Sequence, residues 1–151
     1  MQRIQLEKVA PEAHRKVVDL FLYSQANIET PLLNLIMLRA SVVNGCAYCV
    51  DMHTRDALKA GESVQRLFAV SVWKESPFFS EVERAALALT DAVTLIGQDG
   101  VSDEVWDDAR AIWSEKGVAD LVMAIVMINA FNRIAASTRK TPVPARLTGH
   151  V

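Results

Sequence analysis

Apolar residues recur along most of this chain at the three- and four-residue spacing of a helix face. Val17, Val18, Phe21 and Leu22 mark a stripe over Pro11 to Gln25. Thr30-Pro31 reads as an N-cap followed by proline at the first helical position, opening an apolar run from Leu32 to Val43 that Gly45 is placed to end. A further helix is expected over Ala47 to Ala60, stopped by Gly61. Ser63 caps a short helix through Val72, and Ser76-Pro77 breaks the pattern. Ser80-Glu81-Val82-Glu83 is a capping box for a helix running to about Ile96. Gly97 and Gly100 flank a turn, after which Ser102 caps a segment bearing Val105, Ala109, Ile112 and Trp113, with Gly117 as its stop. Val118 to Ser137 is apolar nearly all round, as a central buried helix is. No period-two run, hairpin turn, internal repeat or linker interrupts this pattern. The expectation is an all-α fold of about six or seven helices in a single domain over 1–151, with an irregular tail from about Pro142 onward.

Composition narrows the picture without changing it. The chain has 151 residues, 51% hydrophobic and 23% charged, with 6 Gly and 5 Pro, which excludes a disordered or collagen-like polymer. Sixteen basic against 18 acidic residues give a net charge of -2, so nothing points to nucleic acid or to an anionic membrane surface. Residues Met1 to Lys8 carry charge throughout and lack the apolar stretch of a secretion signal. The longest unbroken apolar run, Leu121 to Ile128, is far shorter than the roughly 20 residues that span a bilayer. A cytoplasmic location is the expectation.

The two cysteines, Cys46 and Cys49, are the unusual feature. A secreted disulfide scaffold would carry more of them with wider loops, so a CxxC pair here points to catalysis or metal binding. Residues 44–53 read Asn-Gly-Cys-Ala-Tyr-Cys-Val-Asp-Met-His. With a helix from Ala47, Cys46 sits at its N-terminus, Cys49 lies one turn on, and His53 follows Cys49 by four on the same face. The positive end of a helix favours thiolate over thiol. His53 is placed to take the Cys49 proton or to steady its thiolate. The two-residue spacing lets one sulfur attack a substrate and the other resolve the product as a disulfide. Two competing readings use the same residues. CxxC plus histidine offers three soft ligands for zinc, but His14 and His150 are remote in sequence and Asp51 falls on another face. Alternatively, the cysteines are small core hydrophobes and the histidine is a satisfied core residue.

The segment from Leu38 to His53 resembles the signature of the AhpD-like alkylhydroperoxidase family, within the carboxymuconolactone decarboxylase superfamily. The likeness continues through Ala60-Gly61-Glu62, Trp73 to Phe79, Glu83 to Leu89, and Ile128 to Arg133. The resemblance implies an all-helical protein assembling as a trimer or hexamer and reducing alkyl hydroperoxides with its thiols. It makes Cys49 the peroxidatic thiolate, Cys46 the resolving thiol and His53 part of the proton relay. A dithiol or thioredoxin-like reductant would then reopen the disulfide, and no bound nucleotide, metal or organic cofactor is expected. Two positions depart from the family pattern. Asn34 stands where a glutamate twelve residues before the first cysteine feeds the relay, and an amide cannot accept a proton there. Tyr48 stands where the best-known peroxidase members carry a second histidine.

Asp91, on a four-residue stripe with Leu87 and Leu95, is a candidate replacement acid; the other reading is a solvated helix-surface carboxylate. Trp73, Trp106 and Trp113, with Phe78 and Phe79, read as core or subunit-contact residues. His14 reads as a surface residue beside Lys16, and His150 as an idle tail residue. A redox sensor without turnover, and a decarboxylase-like enzyme of the superfamily's cysteine-free branch, are the alternative functions.

Overall fold

In a computed structural model, residues 1–142 are described; the expected irregular tail and His150 lie outside them, apart from Pro142 itself. Among the described residues there are nine α-helices and no strand. They are α1 (Leu6–Val9), α2 (Pro11–Asn27), α3 (Thr30–Val43), α4 (Ala47–Lys59), α5 (Val64–Ala69), α6 (Glu81–Thr94), α7 (Ile96–Asp99), α8 (Asp103–Ile112) and α9 (Glu115–Thr138), with a 3-10 turn at Val70–Val72 after α5. The all-α reading holds. The count exceeds the expectation because α1 and α7 have only 4 residues each, too few to show a period.

Capping chemistry sets most of the boundaries. Ser63, Ser80 and Ser102 each accept a hydrogen bond from the backbone N–H three residues on. Glu83 completes the capping box by accepting from the Ser80 N–H at 2.8 Å. Two expectations are corrected. Glu29, not Thr30, is the N-cap of α3, so Thr30 and Pro31 both lie inside the first turn, where proline costs no internal hydrogen bond. Gly117 does not end α8: Ser114 opens α9, and the Gly117 N–H donates to its hydroxyl at 3.1 Å.

Helices α3 and α9 form the centre. Along α3, Leu33, Ile36, Met37 and Ala40 face one apolar cluster with Leu121, Ala124, Ile125 and Ile128 of α9. Leu35 and Leu38 face the other way, into a second cluster with Ala57, Leu67, Trp73, Phe79 and Leu87. A helix buried on both sides has no polar face to show, which explains why α3 is apolar almost throughout. By length and composition α9 could cross a membrane, beyond what the unbroken-run criterion indicated, yet here it lies in the protein core.

Both ends of α4 are set by glycine. Gly45 (φ +64°) and Gly61 (φ +92°) adopt left-handed backbone that a side chain would strain. After α3, the Gly45 N–H donates to Val42 and the Cys46 N–H to Ser41, a paired closure repeated after α4 by Gly61 to Leu58 and Glu62 to Ala57. The first closure turns the chain so that Cys46 enters α4 as its N-cap.

Candidate active site

Cys46 and Cys49 are joined as a disulfide with Cα atoms 5.3 Å apart. Cys46 caps α4, its Sγ accepting from the Cys49 N–H at 3.4 Å. The turn that carries them is anchored to α9 through amides. Asn44 Nδ2 donates to the Oδ1 atoms of Asn129 and Asn132, each at 2.9 Å. Asn132 in turn donates to Ser41 Oγ at 3.0 Å, and Asn129 to Thr94 Oγ1 at 3.0 Å. The asparagines of the Ile128 to Arg133 segment thus hold the cysteine turn in place.

His53 lies one turn beyond Cys49, 4% exposed, and neither ring nitrogen has a hydrogen-bond partner among the described residues. Burial away from water disfavours the imidazolium and lowers the ring to about 4, with Asp56 pulling in the opposite direction. His53 is therefore a neutral imidazole at neutral pH while the cysteines are oxidised. It does not fit the reading of a satisfied core histidine, which would have partners.

Cys49 and His53 open onto a cavity of about 440 Å³. Four helices each contribute one stripe at helical spacing. From α2 come His14, Phe21 and Gln25; from α3, Thr30, Leu33, Asn34 and Met37. Helix α4 supplies Tyr48, Cys49, Met52, His53 and Asp56, with Ala60 at its C-cap, and α9 supplies Met127, Phe131, Ile134, Ala135 and Thr138. Buried Leu33, Asn34, Met37, Met127, Cys49 and His53 make the floor; exposed Glu7, Gln25, Thr30 and Asp56 make the rim. One side of the rim is tied across the bundle. The Arg3 N–H donates to the Thr138 carbonyl at 2.8 Å, and Lys140 stands 3.9 Å from Glu7 and 4.7 Å above the Tyr48 ring.

The structure sorts the other candidate residues. Asn34 is buried on the cavity floor, yet it makes no hydrogen bond to His53. Asp91 does not line the cavity. Both its oxygens are taken, Oδ1 by Arg39 Nε at 2.6 Å and Oδ2 by Arg39 Nη2 at 2.9 Å and Trp73 Nε1 at 3.1 Å. It is thus neither a relay acid nor a solvated carboxylate, but the centre of a structural cluster. His14, expected on the surface, is half-buried with its ring edge-on to Phe131 at 6.2 Å. The α2 stripe containing Phe21 carries it inward. Trp73 and Phe79 are buried and Trp113 packs against the core, while Trp106 and Phe78 are exposed; none of the five lines the cavity. Asp51 pairs with Arg55 away from the cavity. Among the described residues no three His, Cys, Asp or Glu side chains are grouped to hold a metal ion.

Sequence reasoning missed Asp56. Its position three residues after His53 puts it on the same stripe of α4.

Comparison with known proteins agrees with this geometry. The model of the carboxymuconolactone decarboxylase family matches residues 11–92, which include the cysteine turn and His53. An uncharacterized Bacillus subtilis protein, YdfG, is 41% identical over 135 residues, covering 89% of this chain and 92% of its own. A crystal structure of a protein of unknown function from Agrobacterium tumefaciens, whose name assigns it to antioxidant defence as an AhpD, is 40% identical with a TM-score of 0.93. That match covers 96% of this chain and all of the other. The debrominase Bmp8 in complex with 2,3,4-tribromopyrrole shares the fold at 24% identity, with a TM-score of 0.80 over 91% of this chain and 74% of its own. With its helical bundle, its CxxC turn and its match over 11–92, the chain belongs to the carboxymuconolactone decarboxylase family, as an AhpD-like member.

Proposed function

We propose that this protein is a thiol-dependent, peroxidase-like oxidoreductase that reduces organic hydroperoxides through Cys46 and Cys49. The observation that carries the reading is the joint placement of Cys49 and an unpartnered, neutral His53 on the floor of one cavity, with Cys46 bonded to Cys49. In the reduced protein His53 takes the Cys49 proton, and the N-terminus of α4 steadies the thiolate. The thiolate attacks the terminal oxygen of ROOH; the O–O bond breaks, and the alkoxide leaves as ROH with a proton. Cys49 is left as a sulfenic acid. The Cys46 sulfur displaces its hydroxyl as water, forming the disulfide and completing a two-electron oxidation of the pair. An external dithiol or thioredoxin-like protein restores both thiols.

Support for an organic substrate comes from the cavity wall, where apolar Phe21, Leu33, Met37, Met127 and Phe131 line the same space as Cys49. Exposed Val64, Phe68 and Val72 on and after α5 support self-association, while the trimer or hexamer count comes from the family resemblance alone. The expected assay result is consumption of cumene hydroperoxide with a dithiol donor, lost in Cys49→Ser. Undiminished turnover in that variant overturns the assignment. A single stoichiometric oxidation without recycling would make the protein a sensor instead.

A further inference from the structure

The site has a base and a nucleophile, but position 34, where the family pattern places an acid, holds an amide. His53 is buried with both nitrogens unmatched, so no hydrogen-bond partner among the described residues balances the charge it gains when it takes the Cys49 proton. Every charged or titratable group facing the cavity can be named. Among the described residues, besides Cys49 and His53 themselves, Glu7 comes from α1, His14 from α2, Tyr48 and Asp56 from α4 and Lys140 from the turn after α9, while α3 contributes none. Asp91 is spent on Arg39 and Trp73. Glu7 faces Lys140 across the rim, 3.9 Å away.

Asp56 alone meets three conditions. It lies on the His53 stripe of α4, its charge acts on the ring, and about half of its side chain meets solvent. Among the described residues its one ion pair is a loose one, 3.6 Å to exposed Lys59.

We propose that Asp56 is the positioning carboxylate of this site, acting through His53 in place of the acid missing at Asn34. The inference rests on the thiol chemistry proposed above. When His53 accepts the Cys49 proton, the Asp56 carboxylate stabilises the imidazolium formed. The proton stays on His53, and the thiolate–imidazolium pair that the carboxylate favours raises the thiolate fraction at neutral pH. No electrons move in this step. The acid has migrated from α3 to α4, one turn past the base it serves.

The test measures the reactivity of Cys49 rather than peroxide turnover. In reduced full-length Cys46→Ser protein, where serine remains a competent N-cap, iodoacetamide labels Cys49 alone, and its rate is followed across pH by mass. Adding Asp56→Asn is expected to slow labelling at neutral pH about ten-fold and to move the profile up by about one pH unit. Asp56→Glu restores most of the rate. Asp51→Asn, which removes a charge from the same helix but outside the cavity, leaves the profile in place. Superimposed profiles for Asp56→Asn and its parent overturn the proposal, as does an equal shift from Asp51→Asn. Labelling needs no peroxide, so the two readings fail separately. Peroxide consumption without a labelling shift removes Asp56 alone; a shift without consumption removes the peroxidase reading alone.

Discussion

Two polar sites flank α3, and they are built on opposite terms. At the Asp91 cluster every group is matched. Arg39 pairs with both carboxylate oxygens, gives its other guanidinium nitrogen to the carbonyls of Val70 and Ser71, and leaves the Trp73 indole N–H to Asp91. The cluster ties α3, α6 and the segment after α5 together. At the cavity floor, by contrast, His53 is buried with two unmatched nitrogens. An unsatisfied buried polar group costs about 1–3 kcal/mol, so the fold carries a standing penalty there and none at Asp91. The difference separates a site that holds the bundle together from one kept open for a reactant.

That contrast can be broken at either end. The largest effect is expected at the matched site. Asp91→Ala strands a mostly buried guanidinium and an indole N–H, and should lower unfolding free energy by about 4 kcal/mol, measured by denaturant titration. Little change there would mean the cluster is ornamental.

Acid comes next. A free imidazole titrates near 6.5, whereas buried His53 titrates near 4. Between those values the unfolded chain binds the extra proton, so stability is complete above about 6.5 and falls as the pH drops toward 4. In the oxidised protein the loss from this group is about 3 kcal/mol, and it should flatten in His53→Phe.

The smallest effect is of opposite sign. Above pH 7, His53→Phe removes the unmatched nitrogens and should raise stability by about 1 kcal/mol while abolishing peroxide turnover. A destabilised His53→Phe protein would show that the ring is needed for packing.

How much of this was legible in the sequence follows from the same contrast. Capping boxes, glycine stops and the CxxC-to-histidine spacing are local, and the chain reads them out within one or two helical turns. Cys46 as N-cap and His53 above Cys49 therefore needed no tertiary knowledge. The cavity is not local. Met37, Met127 and Phe131 lie on apolar stripes that look the same whether the facing wall touches them or stands off. Only the placement of α2 and α4 decides which. His14 was misplaced because its polar neighbours outweighed its position seven residues before Phe21, on the same face of α2. Asp91 was ambiguous because a carboxylate on an apolar stripe signals a buried partner without naming it, and the partner, Arg39, is 52 residues away.

The tie across the rim has a consequence of its own. The floor is fixed by the central helices, but one side of the entrance is framed by residues 2–7 and 138–140, joined by Arg3 to Thr138 and Lys140 to Glu7. Apart from Thr138, the buried last residue of α9, these residues are exposed or half-buried at the edge of the bundle. Admission to the sulfur is therefore adjustable separately from the machinery beneath it. Relatives that differ at residues 2–7 or 138–140 could take differently shaped molecules while keeping the same reacting floor.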